Sequence, residues 1–247
     1  MELDGAVVIV TGASSGIGAA TARLAAARGA KVVLAARRVD RIKDLADELP
    51  DALAVPTDLR DPAQIVSLVD ATLDRFGCVN VLVNNAGQGL HVPIEQVRLD
   101  DLRAITELNV YGPLLAMQAV IPPMRRQGGG VIVNVSSMTS RMVLPGVGGY
   151  SATKSALNML SQVARRELAS GGIVVSLVYP SVTATEFHQS LAAGARVGGN
   201  SWAVRAHSAE SVAEAIVGVI QSGEEEIMLT SGWDQGAADR RDTGQPK

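Results

Sequence analysis

Residues 6–10, Ala-Val-Val-Ile-Val, form an unbroken apolar run. It passes directly into Thr11-Gly12-Ala13-Ser14-Ser15-Gly16-Ile17-Gly18, and then into an alanine-rich stretch reaching about residue 28. A strand that is apolar at every position is buried on both faces, as in a parallel sheet flanked by helices. Strand, glycine turn and helix in that order make a site for a dinucleotide phosphate. Gly12 suits the tight turn, Gly16 lets the backbone approach a phosphate, and Gly18 lets helix and strand pack closely. The helix N-terminus offers free N–H groups and the positive end of its dipole. Ser14, Ser15 and Ile17 share the turn and are expected to touch the same cofactor. The spacing is G-x-x-x-G-x-G.

A second strand over residues 31–36 ends in Ala35-Ala36-Arg37-Arg38. An acidic residue there would grip ribose hydroxyls. Two guanidiniums instead match a 2′-phosphate in charge and in fork geometry, and they point to NADP(H).

The rest of the chain keeps the alternation. A helix over 39–49 stops at Pro50, and a third strand spans 52–56. Asp58, just after it, is placed to reach an adenine amino group. Asp61-Pro62-Ala63-Gln64 has an acid cap, a first-turn proline and a capping-box glutamine, and so starts a helix to about residue 76. A fourth strand over 79–83 runs into Asn84-Asn85-Ala86-Gly87, at the strand end where open α/β sheets bind ligands. Residues 99–127 read as helix interrupted by Gly112-Pro113. Proline lacks an N–H, which predicts a kink and leaves the carbonyl of Asn109 free to accept from water. Strands over 131–135 and 172–179 follow, with a helix over 149–170 between them. Pro180-Ser181 stops the sixth strand. Residues 186–205 have the composition of a substrate lid. A helix over 209–222 and a strand over 226–230 precede a polar tail at 233–247. There is no internal repeat or linker, so residues 1–247 read as a single domain. Its fold class is α/β, a doubly wound parallel sheet of seven strands with helices on both faces.

Within the 149–170 helix, Tyr150 and Lys154 are four residues apart and lie on one face. An ammonium beside a phenol favours the phenolate, so the tyrosine pKa is expected to fall toward working pH. Such a pair moves a proton on and off an alcohol oxygen. Tyr111 and Tyr179 have no lysine four residues on, and the chain has only four lysines, Lys31, Lys43, Lys154 and Lys247.

Charge narrows the partners. The net charge is −3 with no basic run, which argues against nucleic acid and a membrane surface. Cys78 is the only cysteine, so no internal disulfide forms. The acidic start at residues 1–5 lacks signal-peptide character, and no apolar run reaches the ~18 residues a membrane helix needs. These features point to a cytoplasmic setting. His91, His188 and His207 have no metal-ligand spacing, and no metal is expected.

At this point the chain resembles the short-chain dehydrogenase/reductase family over roughly residues 5–232. Thr11-Gly12-x-x-x-Gly16-x-Gly18, Asn84-Asn85-Ala86-Gly87, Asn109, Ser137 and Tyr150-x-x-x-Lys154 stand in the family's order and spacing. The resemblance implies a Rossmann-like fold and a catalytic group of Asn109, Ser137, Tyr150 and Lys154. Tyr150 would be the general acid/base. Lys154 would lower its pKa and hold the nicotinamide ribose. Ser137 would bond the substrate oxygen, and Asn109 would bind a water linked to Lys154. Asp58 and Leu59 become adenine contacts, and Asn85, Ala86 and Gly87 further cofactor contacts. Pro180, Thr183 and Thr185 would also meet the cofactor, although Ser181 and Thr183 depart from the usual glycine and apolar residue. Arg37 follows the place where NAD-using members carry an acid, as in NADP-preferring members. Homodimers or homotetramers are common in the family.

The function so implied is NADP(H)-dependent interconversion of a small-molecule carbonyl and a secondary alcohol. A pocket of Gln88, Leu90, Met138, Met142, Val143, Tyr179 and the 186–205 segment would suit an apolar substrate. The alternatives are a 3-oxoacyl-carrier-protein reductase, an NAD-dependent alcohol dehydrogenase and a non-catalytic NADP(H)-sensing regulator. A carrier-protein reductase would favour a basic patch, for which Arg98, Arg103, Arg125, Arg126 and Arg141 are candidates.

Overall fold

The computed structural model describes residues 1–189, 191–194 and 206–230 of the chain. Strands β1 (Val7–Thr11), β2 (Lys31–Ala36), β3 (Ala52–Pro56), β4 (Val81–Asn84), β5 (Gly130–Val135), β6 (Ile173–Tyr179) and β7 (Glu226–Met228) form one sheet. Its order is β3-β2-β1-β4-β5-β6-β7, and every neighbouring pair is parallel. The helices are α1 (Gly16–Ala27), α2 (Val39–Glu48), α3 (Pro62–Phe76), α4 (Leu99–Thr106), α5 (Gly112–Arg126), α6 (Gly148–Leu168) and α7 (Ala209–Ser222).

Strand alternation divides the core in two. Val8 and Val10 of β1 pack with residues of α1, α2 and α7, while Val7 and Ile9 pack with residues of α3, α5 and α6. Both faces are apolar because both are covered, which is why β1 lacks the polar alternation of a half-exposed strand. The order reverses direction beside β1, where the chain goes outward to β2 and β3 and then returns to β4. That reversal opens a crevice at the carboxyl ends of β1 and β4, the binding place of doubly wound sheets.

Local signals explain the helix ends. The Asp61 side chain caps α3 by accepting from Ala63 N at 2.9 Å, and Gln64 Nε2 donates to Asp61 Oδ2 at 2.8 Å. Gly77 closes the helix in the left-handed region at φ 79°. The expected kink before Pro113 takes the form of a π turn over Glu107–Tyr111, in which the Gly112 N–H donates to the Glu107 carbonyl. One extra residue in that turn accommodates the donor that proline lacks, and it drives Asn109 fully inside. The helical stretch Leu99–Arg126, 28 residues with hydropathy 1.2, is long and apolar enough to span a membrane by those measures. Here α5 lays Ala116, Met117, Val120 and Met124 against the sheet.

Strand limits shift slightly from expectation, with β4 starting at Val81 and β7 ending at Met228. Of the expected lid, residues 190, 195–200 and 201–205 lie outside the described residues, as does the 233–247 tail.

Two glycines in helices give opposite expectations. A Cβ on Gly18 would strike the Gly12 carbonyl and stand 2.6 Å from Asn85 Nδ2. On Gly218, within α7, it would meet nothing within 4 Å. Gly18→Ala should destabilise the fold by about 1–3 kcal/mol, and Gly218→Ala should stabilise it by about 0.5–1 kcal/mol. Thermal or urea unfolding of both variants checks the pair, and a tolerated Gly18→Ala would contradict the close packing at the turn.

Candidate active site

The glycine turn sits at the carboxyl end of β1. Gly12 and Gly16 have φ of 67° and 53°, a region other residues adopt only under strain. A Cβ on Gly12 would lie 2.9 Å from both Ala86 Cα and Asn85 Nδ2. Thr11 ties the turn to β4: its hydroxyl donates to Val83 O at 3.2 Å and accepts from Asn85 N at 3.0 Å and Ala86 N at 3.1 Å. The N-terminus of α1 has no side-chain cap and no acid in its first turn. Its N–H groups and dipole therefore remain available to an anion. The glycine cradle and the uncapped helix fit a dinucleotide pyrophosphate.

Asn85 plays a different part from the one its position implied. Its Nδ2 donates to Thr11 O at 2.9 Å, so the side chain braces the turn, and the crevice is left with backbone and Gly87. Asn84 is buried and donates to Asn134 Oδ1 at 2.9 Å and Pro113 O at 3.3 Å, joining β4, β5 and α5.

At the end of β2 the two arginines diverge. Arg37 is exposed, and among the described residues it has no hydrogen-bond or ion-pair partner. Arg38 turns back onto the glycine turn, with Nε to Ser14 Oγ at 3.0 Å and Nη2 to Ser15 Oγ at 2.5 Å. Its Nη1 meets Glu186 Oε2 at 3.0 Å. Asp58 is claimed by Arg60 through Nη2–Oδ2 at 2.6 Å and Nε–Oδ1 at 3.0 Å, which holds its carboxyl below the usual range. The Leu59 side chain is buried in the core.

Beside this crevice, α6 presents Tyr150 and Lys154 one turn apart, both buried. Lys154 Nζ donates to Val135 O, at the end of β5, at 2.9 Å and lies 6.0 Å from the centre of the Tyr150 ring. The Tyr150 phenol lies close enough to Ser137 for the serine hydroxyl to favour its phenolate. Ser137 Oγ also accepts from Thr139 N at 3.2 Å and Thr139 Oγ1 at 3.0 Å. Asn109 Oδ1 accepts from Gln88 N at 2.9 Å, while its Nδ2 donates to Gln88 O at 2.8 Å and Thr153 Oγ1 at 3.1 Å. A Cβ on Gly87 would lie 3.2 Å from Asn109 Oδ1 and 3.4 Å from Lys154 Nζ. Asn109, Ser137, Tyr150 and Lys154 thus converge where the crevice meets the ends of β4 and β5. The Asn109 side chain is committed to protein partners, so a water there would have to use its main-chain carbonyl.

The expected fall in the Tyr150 pKa is reversed in this state. Burial pushes the phenol up to about 12, against the opposing effect of the Ser137 hydroxyl. Burial also brings the Lys154 ammonium down to about 8. The lysine proton is directed at the Val135 carbonyl, so desolvation outweighs the ammonium's pull on the phenol.

Several supporting residues escaped sequence reasoning. Ser136 donates to Asn158, Asn158 Nδ2 donates to Ser140 Oγ at 2.9 Å, and Ser140 Oγ donates to Ser137 O at 2.6 Å. Tyr150, Lys154 and Asn158 recur every four residues on α6, a legible polar stripe at helical spacing. Thr139 and Thr153 had no such signal.

The apolar wall combines Leu90 and Ile105 with the Tyr150 ring, joined by Leu102, Phe187 and Ala193. Phe187 and Tyr150 ring centres are 5.7 Å apart. Two expected wall residues fall elsewhere. Val143 is fully exposed, and buried Tyr179 gives its hydroxyl to Glu226 at 3.2 Å while accepting from Arg141 at 3.0 Å. After β6, the Pro180 carbonyl accepts from Met138 N at 2.9 Å, anchoring the Ser137 turn. Thr183 is buried and its hydroxyl turns inward to Ser181 O at 3.1 Å. Thr185 instead faces the glycine turn, 3.1 Å from where a Gly16 Cβ would stand. Residues 191–194 lie beside the wall, with Ala192 N to Gly89 O at 2.8 Å and His91 N to Ala193 O at 3.1 Å.

Comparison with known proteins agrees with this geometry. The family model for short chain dehydrogenase matches residues 6–196. An uncharacterized oxidoreductase of Staphylococcus haemolyticus is 34% identical over 218 residues, covering 87% of this chain and 91% of that protein. The structure of a 3-ketoacyl-(acyl-carrier-protein) reductase from Brucella melitensis, complexed with NADH, superimposes with TM-score 0.84 at 29% identity. It covers 94% of this chain and 98% of the other. An alcohol dehydrogenase from the archaeon Thermococcus sibiricus, complexed with 5-hydroxy-NADP, gives TM-score 0.82 at 26% identity, covering 99% and 100%. With sheet order, glycine turn and the tyrosine–lysine helix in agreement, the chain belongs to the short-chain dehydrogenase family of oxidoreductases.

Proposed function

We propose that the protein interconverts a carbonyl and a secondary alcohol with NADP(H) as cofactor. The observation that carries this is the buried Tyr150 phenol set close to Ser137, one helical turn from the Lys154 ammonium and beside the glycine crevice. A binding module has no use for a desolvated phenol beside a serine hydroxyl and a buried ammonium, which argues against a cofactor-sensing regulator.

Gly12, Gly16 and the α1 N-terminus would hold the pyrophosphate, and Ala86, Gly87 and Thr185 would line the path toward the nicotinamide. Arg37, unpaired among the described residues, would meet a 2′-phosphate. The bound nicotinamide supplies or accepts the hydride. The protein handles the proton. Tyr150 Oη donates its proton to the carbonyl oxygen, and Ser137 Oγ donates a hydrogen bond to that oxygen as charge develops. A phenol held at about 12 is neutral at physiological pH, the form that donates a proton. Lys154, at about 8, remains mostly protonated at neutral pH and keeps positive charge near the site. The apolar wall of Leu90, Ile105 and Phe187 suits a hydrophobic ketone or alcohol.

A carrier-protein substrate is the second reading, supported by the Brucella reductase's similarity. The basic patch it would want is partly neutralised: Arg98 pairs with Asp101, Arg103 with Asp100 and Arg141 with Glu226.

We also infer a cytoplasmic homodimer or homotetramer. Leu99 and Tyr111 on the α4–α5 stretch and Met159 and Val163 on α6 are exposed apolar side chains. They offer contact faces. Light scattering should return a multiple of the 25.6 kDa chain mass, and a monomer mass would refute this.

Replacing Tyr150 by Phe should lower kcat by about two to four orders of magnitude with NADPH binding retained. Arg37→Ala should weaken NADPH while sparing NADH. Turnover retained in Tyr150→Phe would overturn the acid assignment, and equal loss of both cofactors in Arg37→Ala would overturn the NADP(H) assignment.

A further inference from the structure

The turn Glu186–Gln189 follows Thr185 directly and joins the two ends of the crevice. At one end, the Glu186 carboxylate is gripped by two guanidiniums. Arg38 Nη1 reaches Oε2 at 3.0 Å, and Arg41 Nη1 reaches Oε2 at 2.8 Å and Oε1 at 3.1 Å. Arg38 is simultaneously bonded to Ser14 and Ser15 of the glycine turn. At the other end, the next residue, Phe187, packs against the Tyr150 ring at 5.7 Å.

With Glu186 removed, Arg38 at the end of β2 and Arg41 in the first turn of α2 would lose their ion-pair partner among the described residues, and Arg37 beside them has none, since Arg60 already holds Asp58. Hydrogen bonds from Arg38 and then Arg41 keep the Glu186 carboxyl below the usual carboxylate range, so it is an anion at physiological pH. Carboxylate and phosphate compete for the same guanidinium fork. A phosphate monoester carries more charge and a third acceptor oxygen, and a ribose hydroxyl carries neither advantage.

We propose that Glu186 is a specificity-determining residue: its carboxylate occupies the Arg38–Arg41 anion site and must be displaced by a cofactor's 2′-phosphate. This rests on the assignment of NADP(H) to the arginines at the end of β2. Glu186 therefore lowers affinity for 2′-phosphorylated nucleotides selectively. Its displacement also frees the 186–189 turn that seats Phe187 on Tyr150, so that cofactor choice and the apolar wall are linked. The pairs are about half exposed, so the effect is modest.

The test is calorimetric titration of wild type and Glu186→Gln with NADPH, NADH, 2′-AMP and 5′-AMP. Glu186 is exposed at the carboxylate, and glutamine keeps its shape, so folding is preserved. The variant should bind NADPH and 2′-AMP about three- to tenfold more tightly, with NADH and 5′-AMP unchanged. A preference for NADPH that emerges only in the variant supports the proposal equally. If wild type prefers NADPH and the variant leaves the NADPH-to-NADH ratio unchanged, the proposal falls and the NADP(H) assignment stands. If neither protein distinguishes the two cofactors, both fall.

Discussion

A protonated lysine has been drawn into a water-poor interior, where, among the described residues, it donates to one fixed acceptor, the Val135 carbonyl at 2.9 Å. Burying a charge is costly unless it is held by partners, and much of the surrounding structure serves that need. Val135 ends β5, which both β4 and β6 flank in register, so the acceptor cannot drift. The π turn buries Asn109 beside the lysine, and Gly87 leaves the room that any side chain would fill. The chain of hydroxyls and amides from Ser136 through Asn158 and Ser140 fastens the Ser137 turn to the same helix. Phenol and ammonium on α6 and the serine in the turn after β5 are thereby held so that they cannot move independently.

The crevice is built on a different constraint, the absence of side chains. Gly12 and Gly18 let α1 and the β4 loop approach within contact distance, and Thr11 and Asn85 lock that approach with hydrogen bonds. The Asn85 side chain, which a sequence motif suggests for a ligand, here braces the turn. Solved relatives complexed with NADH and with 5-hydroxy-NADP show that this scaffold serves both cofactors. In this chain the end of β2 carries Arg37 and Arg38, and Arg38 meets Glu186 of the turn after Thr185.

Features set by neighbouring residues were readable in the sequence. The all-apolar strand, the glycine turn, the Asp61 cap and the Tyr150–Lys154 spacing each depend on a few consecutive positions, and all appear as expected. Features set by distant partners were not readable. Tyr179 turning to Glu226, 47 residues on, requires the β6–β7 pairing. The Tyr150 pKa rises because the apolar wall of Leu90, Ile105 and Phe187 closes over it, a fact of packing that spacing along a helix does not contain.

The central claim is that the site stores a proton on Tyr150 for delivery to a carbonyl oxygen. Tyrosinate absorbance during a pH titration, taken as wild type minus Tyr150→Phe in the cofactor-free protein, measures that proton directly. The account predicts no Tyr150 phenolate below about pH 10, with ionisation centred near about 12. Phenolate appearing around neutral pH would mean that the Lys154 ammonium overrides burial, and that the resting site is a base prepared to oxidise an alcohol.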